Sequence, residues 1–281
     1  MVTTYVISPH PLLQFYVDSY LLCTSNGEKV TTKGTWSASN ETTIIFHLAD
    51  QPVHYTSEAG TSALQDKNGC IVGLLPRYNG VVSFNGNYHT FMIQFKANGF
   101  SKLFKMPAKT FVDNIFQVND VFGKRTETLG EALQYANHIQ DMAKLADEFI
   151  LNSLNSQRSN INLYDGITLI SNELCNTDSL LSIQQYAYKA NMSVRSFERK
   201  FTEQVGVSAK QYCRLLRFNK ALNAKIKQPQ SNWTSIAHEC GYYDQMHMIK
   251  EFKDFADITP TEFFKQNTLQ EKFVFVKRTA I

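Results

Sequence analysis

From Tyr5 to about Phe122 the apolar residues fall in short runs rich in β-branched and aromatic side chains. Thr42 to Leu48, Cys70 to Leu75, Val81 to Phe84 and Phe91 to Phe95 are separated by Gly, Asn and Pro. This pattern predicts a compact, mostly antiparallel β domain. Near Glu127 the period changes, and Leu129, Ala132, Leu133, Ala136, Ile139, Ala143, Ala146 and Phe149 recur at spacings of three and four. One long or two short amphipathic helices are expected there. Asn152 to Asn162 is polar, small and poorly helical, the composition of a linker. The expected architecture is α+β in two domains, residues 1–155 and 163–267.

After Leu163 the period is helical throughout, and local chemistry marks the helix starts. Ser182 with Gln185 and Ser208 with Gln211 are capping boxes, and Thr259-Pro-Thr-Glu262 adds proline at the first helical position. The segment also repeats itself at about fifty residues. Ile183 overlies Trp233 and Ala187 overlies Ala237; after one inserted residue Phe201 overlies Phe252, Ser208 overlies Thr259 and Tyr212 overlies Phe263. Each unit reads as helix, tight turn, helix. Ala187 is small enough for a helix crossing, Asn191 suits a turn with positive φ, and Ser193 can cap the next helix; Gly241 and Asp244 take the turn and cap in the second unit.

Charge changes this picture more than composition does. The 281 residues are 43% apolar and 19% charged, a globular composition, and the total charge is only +3. Residues 183–227, however, carry ten Lys plus Arg against two Asp plus Glu, net +8, whereas 1–182 have net −4 and 228–267 net −3. The first unit and the helix after it are therefore expected to supply most of the attraction to a polyanion. Five scattered cysteines, none in a C-x-x-C, fit neither a disulfide framework nor a zinc ribbon, and point to a reducing compartment. Without a basic, apolar leader or a run of about 18 apolar residues, the chain reads as soluble and cytoplasmic, with no membrane partner.

On the helix after Ser193, Phe197 and Phe201 face inward and leave Arg195, Ser196, Glu198 and Arg199 outward, with Lys200 toward the flank. Two guanidinium groups four residues apart suit bidentate donation to guanine or to phosphate, and Glu198 suits cytosine N4; the alternative is a solvated face with Glu198 in a local ion pair. In the second unit Tyr242, Met248 and Phe252 point inward, leaving Gln245, Met246, His247, Ile249 and Lys250. Gln245 is suited to adenine, Met246 or Ile249 to a thymine methyl, and Lys250 to phosphate or guanine; packing roles for Met and Ile are an equal alternative. Lys210, Arg214, Arg217, Lys220, Lys225 and Lys227 punctuate the connecting helix. Its sixteen or so residues, at about 1.5 Å each, would hold the units roughly 25 Å apart, close to one turn of duplex once their own width is added.

These residues resemble the AraC/XylS-type transcription regulators. The resemblance rests on Ser193 to Phe201, Gly206-Val-Ser208, Tyr212, Arg217, Ala221, Ile236-Ala237, Gly241 to Gln245, His247, Phe252-Lys253 and Thr259-Pro260, about 100 residues in all. It implies a tandem helix-turn-helix joined by a long helix, with each second helix in the major groove. Asn191 and Asp257 stand where such regulators usually have glycine, Ala209 where they have proline, and Met246, Met248 and Lys250 where Ser, Phe and Arg are frequent. The first three are compatible with capping or left-handed geometry. The N-terminal half resembles the cupin-like β-barrel sensor region of such regulators through Pro9-His-Pro11-Leu12, Phe91 to Phe95, Gly99 and Leu103-Phe104. That implies effector binding or dimerisation, with the helices from Glu127 to Leu154 as the natural dimer surface.

The sequence-specific regulator expected on these grounds has double-stranded DNA, a small-molecule effector, RNA polymerase and a second copy of the chain as partners, and no cofactor. Candidate effector-lining residues are Trp36, His47, Arg77, Tyr78 and His89, for which core and turn roles are an equal alternative. Two other readings compete. A cupin-like metal enzyme would need clustered histidines, but His47, His54 and His89 lack the H-x-H spacing, and neither a P-loop, G-x-S-x-G nor G-x-G-x-x-G occurs, so no enzyme and no metal is expected. An interaction scaffold whose helix-turn-helix does not bind DNA is suggested by the acidic second unit. The strand-like tail Phe273 to Val276 has no assigned role.

Overall fold

The structure is a computed structural model and describes residues 2–57, 60–64, 69–123, 125–136, 138–156, 165–176 and 182–266. The strand-like tail Phe273 to Val276 and residues 157–162 of the expected linker lie outside the described residues, whereas residues 152–156, expected to be poorly helical, continue a helix that ends at Ser156. The N-terminal half is built on one eight-stranded antiparallel sheet: β1 (Thr3–Ile7), β2 (Val17–Thr35), β3 (Thr43–His47), β4 (Val53–Ser57), β5 (Gly60–Leu64), β6 (Cys70–Val72), β7 (Val81–Phe95) and β8 (Ile115–Gln117). The runs 81–84 and 91–95, read from the sequence as separate, are the two ends of β7. Gly86, at φ +156, lets the strand continue through the polar stretch between them.

β2 and β7 pair along their length, with a register shift between Thr24 and Lys29. The far edge of β7 is divided: Val81 to Phe84 pairs with β4, and Thr90 to Gln94 with β3. The path β1-β2-β7-β3-β6-β8 leaves its two ends unpaired with one another, so the expected barrel is not closed. Closure is not needed to bury apolar surface here, because both faces of the sheet are already covered. Tyr20, Leu22, Ile44, Phe46, Phe91, Ile93 and Phe95 pack on one face against α1 (Gly99–Phe104), α2 (Ala108–Phe111), α3 (Val118–Phe122), α4 (Arg125–Tyr135) and α5 (Ile139–Ser156). Leu21, Cys23, Cys70, Val72, Val82, Phe84 and Met92 enclose a second cluster with Trp36 on the other face. The two-residue period of a strand sorts neighbours such as Tyr20 and Leu21 into different cores.

The helices expected from Glu127 onward are two, α4 and α5. Met142, Ala143, Ala146 and Ile150 of α5 are buried against the sheet, while Gln140, Asp141, Lys144 and Glu148 face solvent. The apolar stripe read from the sequence is therefore packed inside the domain, and the outer face of α5 is polar.

The helical half comprises α6 (Gly166–Asn176), α7 (Ile183–Lys189), α8 (Val194–Val205), α9 (Ala209–Lys227), α10 (Trp233–Glu239), α11 (Gln245–Ala256) and α12 (Pro260–Gln266). The internal repeat is real: α7 and α10 are both seven residues long, and α8 and α11 both twelve. Its punctuation is also as expected. Asn191 sits at φ 55 and Gly241 at φ +76 in the two turns, and α8 and α11 both end in left-handed residues, Gly206 and Asp257. Ser182 with Gln185 and Thr259 with Glu262 make reciprocal caps, and Ser208 accepts from the Gln211 N–H. A further cap, not read from the sequence, is Asn232, whose side chain accepts from Ser235 N–H at the start of α10; an Asn directly after Ser231 and three residues past Pro229 is its local signal.

The two halves share a seam. Ala38, Leu74 and Ala97 of the sheet domain belong to the same core as Phe197, Phe201, Tyr212 and Phe255.

Candidate nucleic-acid interface

The first outward face forms because α8 is pinned at both ends. Ser193 Oγ accepts the Ser196 N–H at 3.3 Å, and Phe197, Phe201 and Val205, four residues apart, are fully buried. That places Arg195, Glu198 and Arg199 in solvent and leaves Ser196 and Lys200 half-buried on the flanks. Arg199 Nη1 lies 3.4 Å from Glu203 Oε2, with both side chains about two-thirds exposed at 68% and 65%. Such an exposed pair contributes little and can be exchanged for a stronger acceptor. Glu198, expected to take the local ion pair in the bland alternative, is not the partner Arg199 uses.

In the second unit Asp244 Oδ1 accepts the His247 N–H at 2.7 Å, and Met248, Phe252 and Phe255 are buried. Met246 and Lys250 are exposed, and Gln245, His247 and Ile249 half-buried. Two of these side chains are held from within the domain. Thr234 Oγ1 of α10 donates to Gln245 Oε1 at 2.7 Å, leaving the amide nitrogen as the outward group. The His247 ring stands edge-on to Tyr242, with Nε2 3.6 Å from Glu251 Oε1.

The connecting helix departs from the sequence expectation. Arg214 and Arg217 do not stand out as phosphate ligands; they turn inward to Glu251, a carboxylate only 2% exposed. Arg214 Nε donates to Glu251 Oε1 at 2.8 Å and its Nη2 to Asp254 Oδ2 at 2.6 Å, with the guanidinium carbon 5.0 Å from the centre of the Phe255 ring. Arg217 meets both Glu251 oxygens and stacks over Tyr242 at 4.7 Å. Lys225 donates to the carbonyls of Pro229 and Ser231 and lies over Trp233. Three of the six basic residues on α9 are thus committed to holding the second unit against the connector. A buried carboxylate must be paired, and the nearest cations are on the facing helix. Glu251 carries a sequence signal of its own in its place among Met248, Phe252 and Phe255 on the buried stripe of α11.

The candidate effector residues do not form one cluster. Trp36 is buried, edge-on to Tyr55 at 4.8 Å. His47 is buried on the same side of the sheet, its Nδ1 3.1 Å from Thr90 Oγ1 and its Nε2 buried without a hydrogen-bond partner. Burial lowers its pKa to about 4, so the ring is neutral at pH 7. His89 lies on the opposite face, next to Thr24, and Arg77 is a surface residue paired with Asp113. Tyr78 is half-buried. Among the described residues no group of three or more His, Cys, Asp or Glu is placed to hold a metal ion, and no helix is long and apolar enough to cross a membrane.

Residues 186–266 match the family described as a helix-turn-helix domain, and residues 5–117 a family described as a domain of unknown function (DUF6597). An uncharacterized HTH-type transcriptional regulator of Haemophilus influenzae is 32% identical over 87 residues, which are 31% of this chain and 29% of that protein. The chain thus spans under a third of the length of the curated relative it matches. Among solved structures, the chain is similar to ToxT from Vibrio cholerae O395 bound to (E)-4-(8-methylnaphthalen-1-yl)but-3-enoic acid, at 11% identity and a TM-score of 0.49, with 95% of this chain and 99% of that one covered. It is more distantly similar to the AraC-like transcriptional activator CuxR, at 8% identity and a TM-score of 0.24 over 90% and 80% of the two chains.

Proposed function

We propose that this chain, whose residues 186–266 are an AraC-type helix-turn-helix domain, is a sequence-specific DNA-binding transcription regulator that sets α8 and α11 into successive major-groove segments of one duplex. The observation that carries this reading is the pair of twelve-residue helices, each the second of its unit and each with its polar face open. At about 1.5 Å per residue the nineteen-residue α9 between the units is roughly 28 Å long, of the order of one duplex turn. On α8, Arg195 and Arg199 donate to guanine or phosphate, Glu198 accepts from cytosine, and Ser196 and Lys200 touch the backbone at the groove edge. On α11, Met246 meets a thymine methyl, Lys250 a phosphate, and Gln245 donates through its free amide nitrogen; His247 flanks them. The attraction comes from α8 and the remaining lysines of α9 rather than from Arg214 and Arg217.

Titrating the full chain with duplex DNA selected in vitro, at several salt concentrations, tests this. Specific binding that weakens linearly in log salt supports it. No binding even at low salt would favour the interaction scaffold instead.

A small-molecule effector is proposed for the sheet domain on one observation, the orphaned Nε2 of His47 beside Thr90. A ligand with a hydroxyl or carboxyl group would satisfy it. Screening such compounds for a rise in melting temperature, lost in His47→Phe, is the test. A second copy of the chain and RNA polymerase complete the proposed partners, and cross-linking or sedimentation measures the first.

A further inference from the structure

The sheet domain touches both units of the helix-turn-helix domain, and it does so at equivalent places. On the first unit the contact is at the C-terminal end of α8. Gln204, the penultimate residue, receives a hydrogen bond from Asn98 Nδ2 at 3.0 Å on Oε1 and gives one from Nε2 to Asp165 Oδ2 at 3.0 Å. Asp165 also takes Lys102 Nζ of α1, and its other oxygen caps the Ile167 N–H at the start of α6. Burial opposes ionisation of Asp165, but these bonds outweigh it and hold the carboxyl below its usual range. Asn98 is 1% exposed and its Nδ2 reaches Thr168 Oγ1 as well, while its Oδ1 is buried without a hydrogen-bond partner. Gly206, the cap of α8, lies directly on α2: a side chain there would meet Val112 at 2.3 Å.

On the second unit the contact is again at the C-terminal end of the groove-facing helix. The Ala38 N–H donates to the carbonyl of Phe255, the penultimate residue of α11, at 2.9 Å. Two residues on, Asn40 takes a bond from Asn219 Nδ2 of the connector at 2.8 Å and gives one to the Tyr212 hydroxyl at 3.4 Å. The sheet domain therefore grips α8 and α11 at their C-terminal ends, remote from Arg195, Glu198, Gln245 and Met246, and holds α9 at Tyr212 and Asn219.

We infer that the sheet domain is a brace that fixes the placement of the two recognition helices relative to one another, with Asn40 and Asp165 as positioning residues for DNA binding. This rests on the reading that α8 and α11 engage one duplex. Its consequence is a strict spacing between the two half-sites: with α9 alone joining the units, small helix rotations would accommodate other spacings, but a domain bonded to both helix ends does not permit them. The brace also gives an event in the sheet domain a direct route to DNA, since release at either corner changes the geometry of the pair and not the bases each helix reads.

The test uses the full chain and a duplex selected in vitro by the wild-type protein. Affinity is measured for that duplex, for the same duplex with one to three base pairs inserted between the two half-sites, and for one retaining only the half-site read by α8. Asn40→Ala removes the bonds to α9 beside the Ala38–Phe255 contact and Asp165→Asn loosens the α8 corner, so that one remains informative if the other fails to fold; circular dichroism checks both. The expected result is that the wild type discriminates sharply against the inserted spacings. Each variant should bind the selected duplex about two- to thirty-fold more weakly, lose most of that discrimination, and bind the single half-site as the wild type does. A variant that folds and keeps the wild-type ratio between selected and respaced duplexes overturns the brace. Failure of the wild type to select any duplex overturns the DNA-binding reading beneath it, and the two failures are distinct.

Discussion

Arg217 and Glu251 face each other across the junction of α9 and α11, with Arg217 Nη2 2.6 Å from Glu251 Oε1 and Nε 3.3 Å from Oε2. Glu251 lies at the centre of three basic groups, since Arg214 shares Oε1 and His247 stands 3.6 Å away. α11 and the connector are therefore joined by buried charge as well as by the Phe218–Phe252 and Phe218–Phe255 ring contacts. Removing the carboxylate strands the Arg217 guanidinium, whose side chain is only 16% exposed, and leaves Arg214 with Asp254. Glu251→Ala is expected to destabilise the protein by about 3 to 5 kcal/mol, read from urea unfolding followed by helical signal. A loss under about 1 kcal/mol would mean that solvent satisfies the arginines equally well.

The exposed ion pair on α8 behaves differently. Arg199→Ala should weaken binding to the selected duplex by about 1 to 3 kcal/mol, whereas Glu203→Ala, which only frees Arg199, should not weaken it. Fluorescence anisotropy of labelled duplex measures both. Equal losses in the two variants would point to helix stability rather than base contact.

Gln245 is suited by type to adenine, which a glutamine pairs through both amide atoms, but Thr234 occupies its oxygen. The wild type should then favour a base with a major-groove acceptor, and guanine over adenine where Gln245 reaches. Thr234→Val releases the oxygen and should shift that preference toward adenine by roughly 1 kcal/mol, about fivefold. Selection from a duplex pool randomised at each position measures it, and an unchanged preference would show that Gln245 meets no base.

Acid should weaken the sheet domain through His47. Its pKa is lowered by burial from an ordinary 6.5 to about 4, so between these values the unfolded chain takes up a proton that the folded chain refuses. Stability contributed by the neutral ring is complete above pH 6.5, falls as pH drops toward 4, and amounts to about 3 kcal/mol. Asp165 acts in the same direction lower down, as its carboxylate is lost below the usual carboxylate range. Urea midpoints between pH 7 and 4 should fall in the wild type and fall less in His47→Gln; parallel curves would assign the loss elsewhere.

The legible parts of this protein were those set by neighbours in sequence. Asn191, Gly241, Ser193 and Asp244 announced both turns and caps because backbone conformation and capping are decided within a few residues. The fifty-residue repeat followed from the same local grammar written twice. The single strand through Gly86 and the unclosed sheet were not legible, because strand continuation and closure depend on partners far along the chain.

For the candidate site the division runs between outward and inward charge. Helical period and the buried Phe197, Phe201, Met248 and Phe252 by themselves determined which face of α8 and α11 is free. Only the tertiary structure decided which cations remain available on it. Arg214, Arg217 and Lys210 read alike along α9, yet two of them meet Glu251 and the third stays exposed, as the packing of a second helix selects among equivalent positions. Likewise no local pattern could have joined Asn40 to Tyr212 and Asn219, or Ala38 to Phe255; those bonds exist because two domains, each specified by its own period, close on a common core.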